Sequence, residues 1–358
     1  MNINFSVHLL AFFILFLTAC QNKEQSNELS QQQLFTFGTL IDITVISDNS
    51  ERAKRAINAV SSEFDHLHRQ WHPWKNGALG QLNKNFYNSS SNSATFTSAA
   101  SVIKLIQDSQ LLSEQSNGLF NPAIGQLVKL WQFDQIENED YQFKIPDPEK
   151  IQQLLENNPR MQDILINNEK ITTNNAAISL DFGAFAKGVA IEKMMAILKV
   201  QHINNALINA GGDLKVLGSK NGKPWKIGIK NPAQAQDPSK KAIIAAIKLN
   251  DNETLFTSGD YERFFEFQGK HYHHIIDPRT GYPAVGTQSV TVLTEDAALA
   301  DAASTALFIA GPRLWAEIAK KMNVRYVMLI SDDNKIYLTQ AMAERIELLT
   351  DIKPVIVK

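Results

Sequence analysis

Four segments of this 358-residue chain crowd chemically able side chains into short stretches. The first is Asp181-Phe182-Gly183-Ala184-Phe185-Ala186-Lys187-Gly188, a small-residue loop opening a helix. Backbone N–H groups at a helix start favour anions, and Lys187 adds a positive charge for a phosphate or carboxylate. A strand-to-helix turn with a surface lysine has the same pattern. The second is Asn209-Ala210-Gly211-Gly212-Asp213, whose paired glycines permit positive φ and close approach of the backbone to a ligand, or simply a tight turn. The third runs from Thr257-Ser258-Gly259-Asp260-Tyr261-Glu262-Arg263 through His273-His274-Ile275-Ile276-Asp277-Pro278-Arg279-Thr280-Gly281. It is denser in hydroxyl, imidazole, carboxylate and guanidinium groups than a structural hairpin requires, and His274 is its candidate acid–base group. The fourth is Ala300-Asp301-Ala302-Ala303-Ser304-Thr305. Asp301 and Thr305 are four apart and share a helical face, with Ser304 beside them. One carboxylate with hydroxyls is a hard-oxygen set that suits Mg²⁺ better than zinc; a helix cap, or hydroxyls bonded to the preceding turn, gives the same spacing.

The elements that must position these groups are legible in part. Leu34 to Ile46 reads as strand, interrupted at Gly38. A helix follows, with Ser50 as its cap and Ala53, Ala56, Ile57, Val60, Phe64 and Leu67 as its buried stripe. Trp71 to Gly80 and Tyr87 to Ser93 read as loops, and Ser98 to Ser113 as a second helix. A short helix is expected over Pro146 to Asn157, and an amphipathic one over Lys187 to Leu198. Short strands are expected at Ala206–Asn209, Trp225–Ile229, Ile243–Leu249, Tyr272–Ile276 and Val290–Val292. Helices return at Ala297–Ile309 and Pro312–Met322, then strands at Tyr326–Ile330 and Lys335–Leu338. Mixed elements without regular βαβ alternation favour α+β, and no linker breaks the chain after residue 33, so one domain is expected.

A composition 44% hydrophobic and 20% charged is that of an ordinary globular protein, and a net charge of −2 gives no sign of a nucleic-acid surface. Cys20 is the only cysteine, which excludes a disulfide framework and a cysteine metal site. Its setting accounts for it. Leu9 to Leu17 is an apolar run too short to span a bilayer and suited to a signal-peptide core. Leu17-Thr18-Ala19-Cys20 then resembles the bacterial lipobox, although no Lys or Arg precedes the run. An uncleaved anchor or a buried terminal helix has the same apolar pattern. The expected layout is a signal peptide over 1–19, a polar tether over 20–33 beginning at lipidated Cys20, a domain over 34–345 and a tail over 346–358. That places the protein in the bacterial cell envelope, lipid-anchored to a membrane and facing the periplasm.

Taken together, the motifs DFGAFAKG, NAGGD, TSGDYERFF, HHIIDPRTGYP and SVTVLTEDAALADAASTALFIAG, in that order, resemble the ApbE family of FAD:protein FMN transferases, from about Phe35 to Tyr337. The resemblance implies an α+β fold of the T-fold type, FAD as substrate and Mg²⁺ as metal. It implies that Asp181 and Lys187 contact FAD, that Ile276 lines the flavin pocket, and that His274 is the catalytic histidine. The Ala184 carbonyl, Asp301 and Thr305 match metal ligands, with Ser304 where some members carry a carboxylate. Phe37 stands where many members have methionine; Trp74 matches an aromatic FAD contact; Leu119, Phe120 and Asn121 match a further FAD stretch, Asn121 replacing a commoner aspartate. The implied acceptors are flavoprotein subunits of membrane electron-transfer complexes. The sequence leaves two alternatives open, a Mg²⁺-dependent FAD pyrophosphatase and a non-catalytic FAD-binding lipoprotein.

Overall fold

Side chains alternate between the two faces of extended backbone, and the inner strands of the central sheet bury both. Its strands in the computed structural model are β1 (Glu28–Thr36), β2 (Thr39–Ser47), β3 (Asn205–Ala210), β4 (Asp213–Leu217), β5 (Thr254–Gly259), β6 (Thr287–Thr294), β7 (Tyr326–Ser331), β8 (Ile336–Thr339) and β9 (Val355–Val357). They lie side by side in chain order. Every pairing is antiparallel except that of β8 with β9. The structure describes residues 28–88, 94–136, 138 and 140–357, so the signal peptide, the lipobox and Cys20 lie outside the described residues.

Ile41, Ile43, Val45, Val290, Val292, Val327 and Leu329 point to one face and join the larger core. Helices cover it: α1 (Ser50–Trp71), α2 (Ala78–Asn88), α3 (Ala100–Gln115), α4 (Ala186–Val200) and α5 (Ala297–Lys321). Ile46, Leu293, Met328 and Ile330 point the other way. There a second sheet, formed by Trp225–Lys230, Ile243–Leu249 and Ile346–Leu348, closes the smaller core. Each excursion from the central sheet returns beside the strand it left, which makes this a single α+β domain, as the sequence led one to expect.

Several expectations are corrected. The strand over 34–46 is a hairpin: Phe37 (φ 53°) and Gly38 (φ 69°) make the two-residue turn with both central residues left-handed that suits the twist of paired strands. Residues 28–33 belong to β1 and not to a tether. Their side chains carry little apolar alternation because β1 is an edge strand held by the ladder to β2 and by Gln31 and Gln33, which donate to Thr44 (3.1 Å) and Asp42 (2.7 Å). The segment after 345 is no free tail, since Ile346–Leu348 pairs with Ile243–Leu249 and β9 pairs with β8. Helix α2 occupies part of two expected loops, its apolar stripe of Leu79, Leu82 and Phe86 masked by asparagines and lysine. Asn49, not Ser50, caps α1, accepting from the Arg52 N–H at 2.8 Å. The expected pair of helices after 297 is observed as α5, broken at Gly311 (φ 67°, ψ 178°) just before Pro312.

Candidate active site

The Asp181–Gly188 loop is fixed before any ligand is considered. Asn83 of α2 clamps the backbone ahead of it, accepting from the Leu180 N–H and donating to the Leu180 carbonyl, both at 2.8 Å. Phe182 and Phe185 are buried anchors on either side of Gly183 and Ala184. The Asp181 carboxylate accepts from the Gly183 N–H at 2.8 Å, and burial nonetheless pushes its pKa up.

At the start of α4, the Gly188 N–H donates to Asp301 at 2.9 Å. The anion attracted to this helix terminus is thus the protein's own carboxylate, a correction to the simpler expectation of an open anion cradle. Glycine is required here. A Cβ on residue 188 would stand 2.2 Å from the Ala297 carbonyl oxygen and 2.9 Å from the Ala298 Cα, both backbone atoms of α5. Gly188→Ala is therefore expected to force α4 and α5 apart and to cost about 1–3 kcal/mol, measurable by denaturant unfolding. An unchanged midpoint would show that the two helices are less tightly apposed than described.

Lys187 pairs with Asp213, which is buried and also accepts from the Thr257 N–H at 3.0 Å. Burial alone would lower the Lys187 pKa, but Asp213 and Asp301 beside it outweigh that and hold it above its ordinary value. Asp301 is pushed up to about 7, first by burial, while Lys187 pulls it down and Asp213 pushes it up. Ser258 of β5 donates to Ser304 at 2.9 Å and lies 3.3 Å from the Thr305 hydroxyl. Ser304 in turn donates to the Asp301 carbonyl at 3.0 Å. Asp301, Ser304 and Thr305 thus share one end of α5, against the end of β5.

His274 follows a hairpin of Phe264–Phe267 and Lys270–His273; the strand expected over 272–276 ends at His273. The two histidines divide sharply. His273 is buried, its Nε2 donating to the Ala284 carbonyl at 2.8 Å and its Nδ1 accepting from the Ile275 N–H, with its pKa near 4 chiefly through burial. His274 is half-buried, and its Nδ1 lies 3.3 Å from the Arg263 carbonyl. A carbonyl only accepts, so Nδ1 carries the proton and Nε2 keeps its lone pair. Burial, then the Arg263 cation, hold His274 well below the usual imidazole range. The same Arg263 charge acts on Asp181 and Lys187, which brings the histidine, the loop and the carboxylates into one electrostatic neighbourhood.

The remaining expected residues fall in different places. Phe37, on its hairpin turn, packs edge-on against Phe64, His68 and Trp71. Trp74 is half-buried beneath the Lys129 ammonium, 5.2 Å from the ring centroid. The side chains of Leu119 and Phe120 are spent on the core, and Asn121 bonds the Pro159 carbonyl (2.9 Å) and the Ala123 N–H (3.1 Å). Ile276 belongs to a third buried cluster with Leu127, Trp131 and Phe265. Sequence reasoning assigned no role to Asp213, Ser258 or Asn83. The first two stood inside quoted motifs, which was the available signal; Asn83 had none.

The sequence model of the ApbE family matches residues 37–328. The FAD:protein FMN transferase of Rhodobacter capsulatus is 36% identical over 316 residues, covering 88% of this chain and 58% of that protein; the chain thus spans somewhat over half of that relative. The FAD:protein FMN transferase of Treponema pallidum is 28% identical over 350 residues, covering 92% of each chain. Among solved structures, the ApbE protein of Thermotoga maritima superposes with a TM-score of 0.78 at 26% identity, over 89% of this chain and 99% of that one. The flavin transferase ApbE of Vibrio cholerae, at 23% identity, shares the fold with a TM-score of 0.74 over 89% of this chain and 99% of that one. With the family model matched across residues 37–328, most of its length, this chain belongs to the ApbE family.

Proposed function

We propose that this chain is an FAD:protein FMN transferase, moving the FMN half of FAD onto a Ser or Thr hydroxyl of an acceptor flavoprotein and releasing AMP. The observation that carries the reading is the convergence, in a member of this family, of Asp301, Lys187 and Asp213 beside the Ser304 and Thr305 hydroxyls. The acceptor hydroxyl oxygen forms a bond to the phosphorus on the FMN side as the phosphoanhydride bond to AMP breaks. His274 Nε2 takes the hydroxyl proton. Asp181 and Lys187 contact FAD while the Gly188 N–H stays with Asp301, and Phe37 and Trp74 offer aromatic surface to the dinucleotide.

The donor set fits Mg²⁺: the Asp301 carboxylate, the Thr305 hydroxyl and the Ala184 carbonyl are hard oxygens, with Ser304 adjoining. Asp301, held near 7 by burial, would be favoured in its charged form by a neighbouring cation. When bound, Mg²⁺ supplies charge stabilisation for the transferring phosphoryl group and for AMP. The test is incubation with FAD and Mg²⁺, with and without acceptor. AMP formed only with acceptor is expected; AMP with free FMN in the absence of acceptor would indicate a pyrophosphatase, and no AMP would indicate a binding protein.

The reading includes location. Leu17-Thr18-Ala19-Cys20 supports lipid anchoring at a cell-envelope membrane on the periplasmic side, where flavoprotein subunits of electron-transfer complexes are the acceptors. Cys20→Ser is expected to abolish lipidation and leave the precursor unprocessed. Labelled palmitate on the Cys20→Ser protein would overturn this.

A further inference from the structure

Strand β4 carries two charges on its helix-facing side, and each meets an opposite charge on α4. Asp213 pairs with Lys187, and two residues on, Lys215 donates to Glu192 at 2.8 Å. Leu214 and Val216, between and beyond them, point into the opposite core. The second pair is unusual in its burial, since the Lys215 side chain is only 1% exposed. It is also more than a pair. Lys215 donates to the Glu295 carbonyl just ahead of α5, and Glu192 accepts from the Ala297 N–H, in the first turn of α5, at 2.7 Å. One lysine of the sheet therefore holds α4 through a carboxylate and the α5 entry through a carbonyl. The carboxylate itself serves both the lysine and the α5 backbone.

The order of charges matters. Along β4 it is acid then base; along α4 it is base then acid. Side chains two apart on one face of a strand are about 6.6 Å apart. A slide of α4 by that distance would set Lys187 beside Lys215 or Glu192 beside Asp213, like against like. The two pairs thus admit one register of α4 on the sheet. That register brings Gly188 against Ala297 and its N–H to Asp301.

We infer that Lys215 and Glu192 are positioning residues for the transfer reaction: they fix α4 and the start of α5 against β4, and so hold Lys187 and Asp301 at the distance that catalysis requires. This rests on the FMN-transfer reading. Neither residue contacts substrate in this account. A displacement of about 1 Å at groups that must align can cost on the order of a hundredfold in rate.

The experiment compares wild type, Lys215→Met, Glu192→Gln and the exchange Lys215→Glu with Glu192→Lys. Melting temperature, FAD affinity, kcat and KM for FAD are measured on the folded protein. Lys215→Met is expected to lower kcat by about ten- to a hundredfold while KM for FAD changes little. It is also expected to raise the Mg²⁺ concentration giving half-maximal rate, because Asp301 is misplaced and not removed. Glu192→Gln retains an oxygen for both Lys215 and the Ala297 N–H and is expected to stay within about threefold of wild type. The exchanged pair is expected to remain poor, because it restores the ion pair but not the bonds to Glu295 and Ala297. A normal kcat in folded Lys215→Met, or full recovery in the exchange, would overturn the inference. If Lys215→Met fails to fold, the contrast between Glu192→Gln and Glu192→Leu carries the test, equal rates in the two ruling positioning out. Absence of transfer by wild type in the same assay would instead overturn the functional reading.

Discussion

Replacing Asp301 by Asn is expected to lower FMN transfer by about a thousandfold, equivalent to about 4 kcal/mol of transition-state stabilisation, while leaving the fold intact. The asparagine oxygen can still accept from the Gly188 N–H, the bond that ties α4 to α5. What disappears is the charge that faces Lys187 and would hold Mg²⁺. Folding should tolerate the change for a reason of sign. The Asp301 pKa is raised by burial from 3.8 to about 7, so as pH climbs between those values the ionised carboxylate increasingly opposes folding. A neutral amide does not carry that cost. The melting temperature of the metal-free protein at neutral pH should therefore hold, whereas the Mg²⁺ requirement should rise steeply. Near-normal transfer by Asp301→Asn at low Mg²⁺ would make Asp301 a mere cap of α4.

His274→Ala is expected to reduce transfer by about 10² to 10⁴-fold, the usual range for general-base assistance, with FAD still bound. His274→Gln should be almost as poor, since it offers a hydrogen bond but takes no proton near pH 7. The pH dependence follows from the same environment. Burial, and then Arg263, hold the imidazole well below 6.5, so it stays neutral and able to accept a proton throughout the neutral range. With Mg²⁺ saturating, so that Asp301 stays ionised, the base is lost only as pH falls through that depressed value, and the acidic limb of kcat/KM should lie below pH 6.5. A limb above 6.5 would point to a different group. Loss of FAD binding in His274→Ala would recast the residue as a substrate contact.

Which polar groups of the candidate site stand together along the chain was legible in the sequence, because they lie in contiguous motifs. Asp301 and Thr305 share a face by helical spacing alone, and the break at Gly311-Pro312 is visible as a residue pair. What closes the site was not legible, because it depends on contacts between distant parts of the chain. Asp213 meets Lys187 across 26 residues and Asp301 meets Gly188 across 113, and no spacing rule links them. The histidine doublet was legible only as a doublet. That His273 is a satisfied core residue and His274 the open one depends on which carbonyls face them. Residues 28–33 of β1 escaped because an edge strand can be specified by its ladder with little apolar alternation, and α2 because its polar face hid a short stripe. Leu119 and Phe120 show the opposite limit: a matched motif position can serve the core with its side chain.

The most direct test of the central claim is co-expression with a flavoprotein subunit of a membrane electron-transfer complex that bears a Ser or Thr acceptor, followed by intact-mass measurement of that subunit. A gain of one FMN is expected, absent in cells carrying Asp301→Asn in place of the wild-type chain. An acceptor of unchanged mass, alongside AMP and free FMN released from FAD by the purified protein, would contradict it.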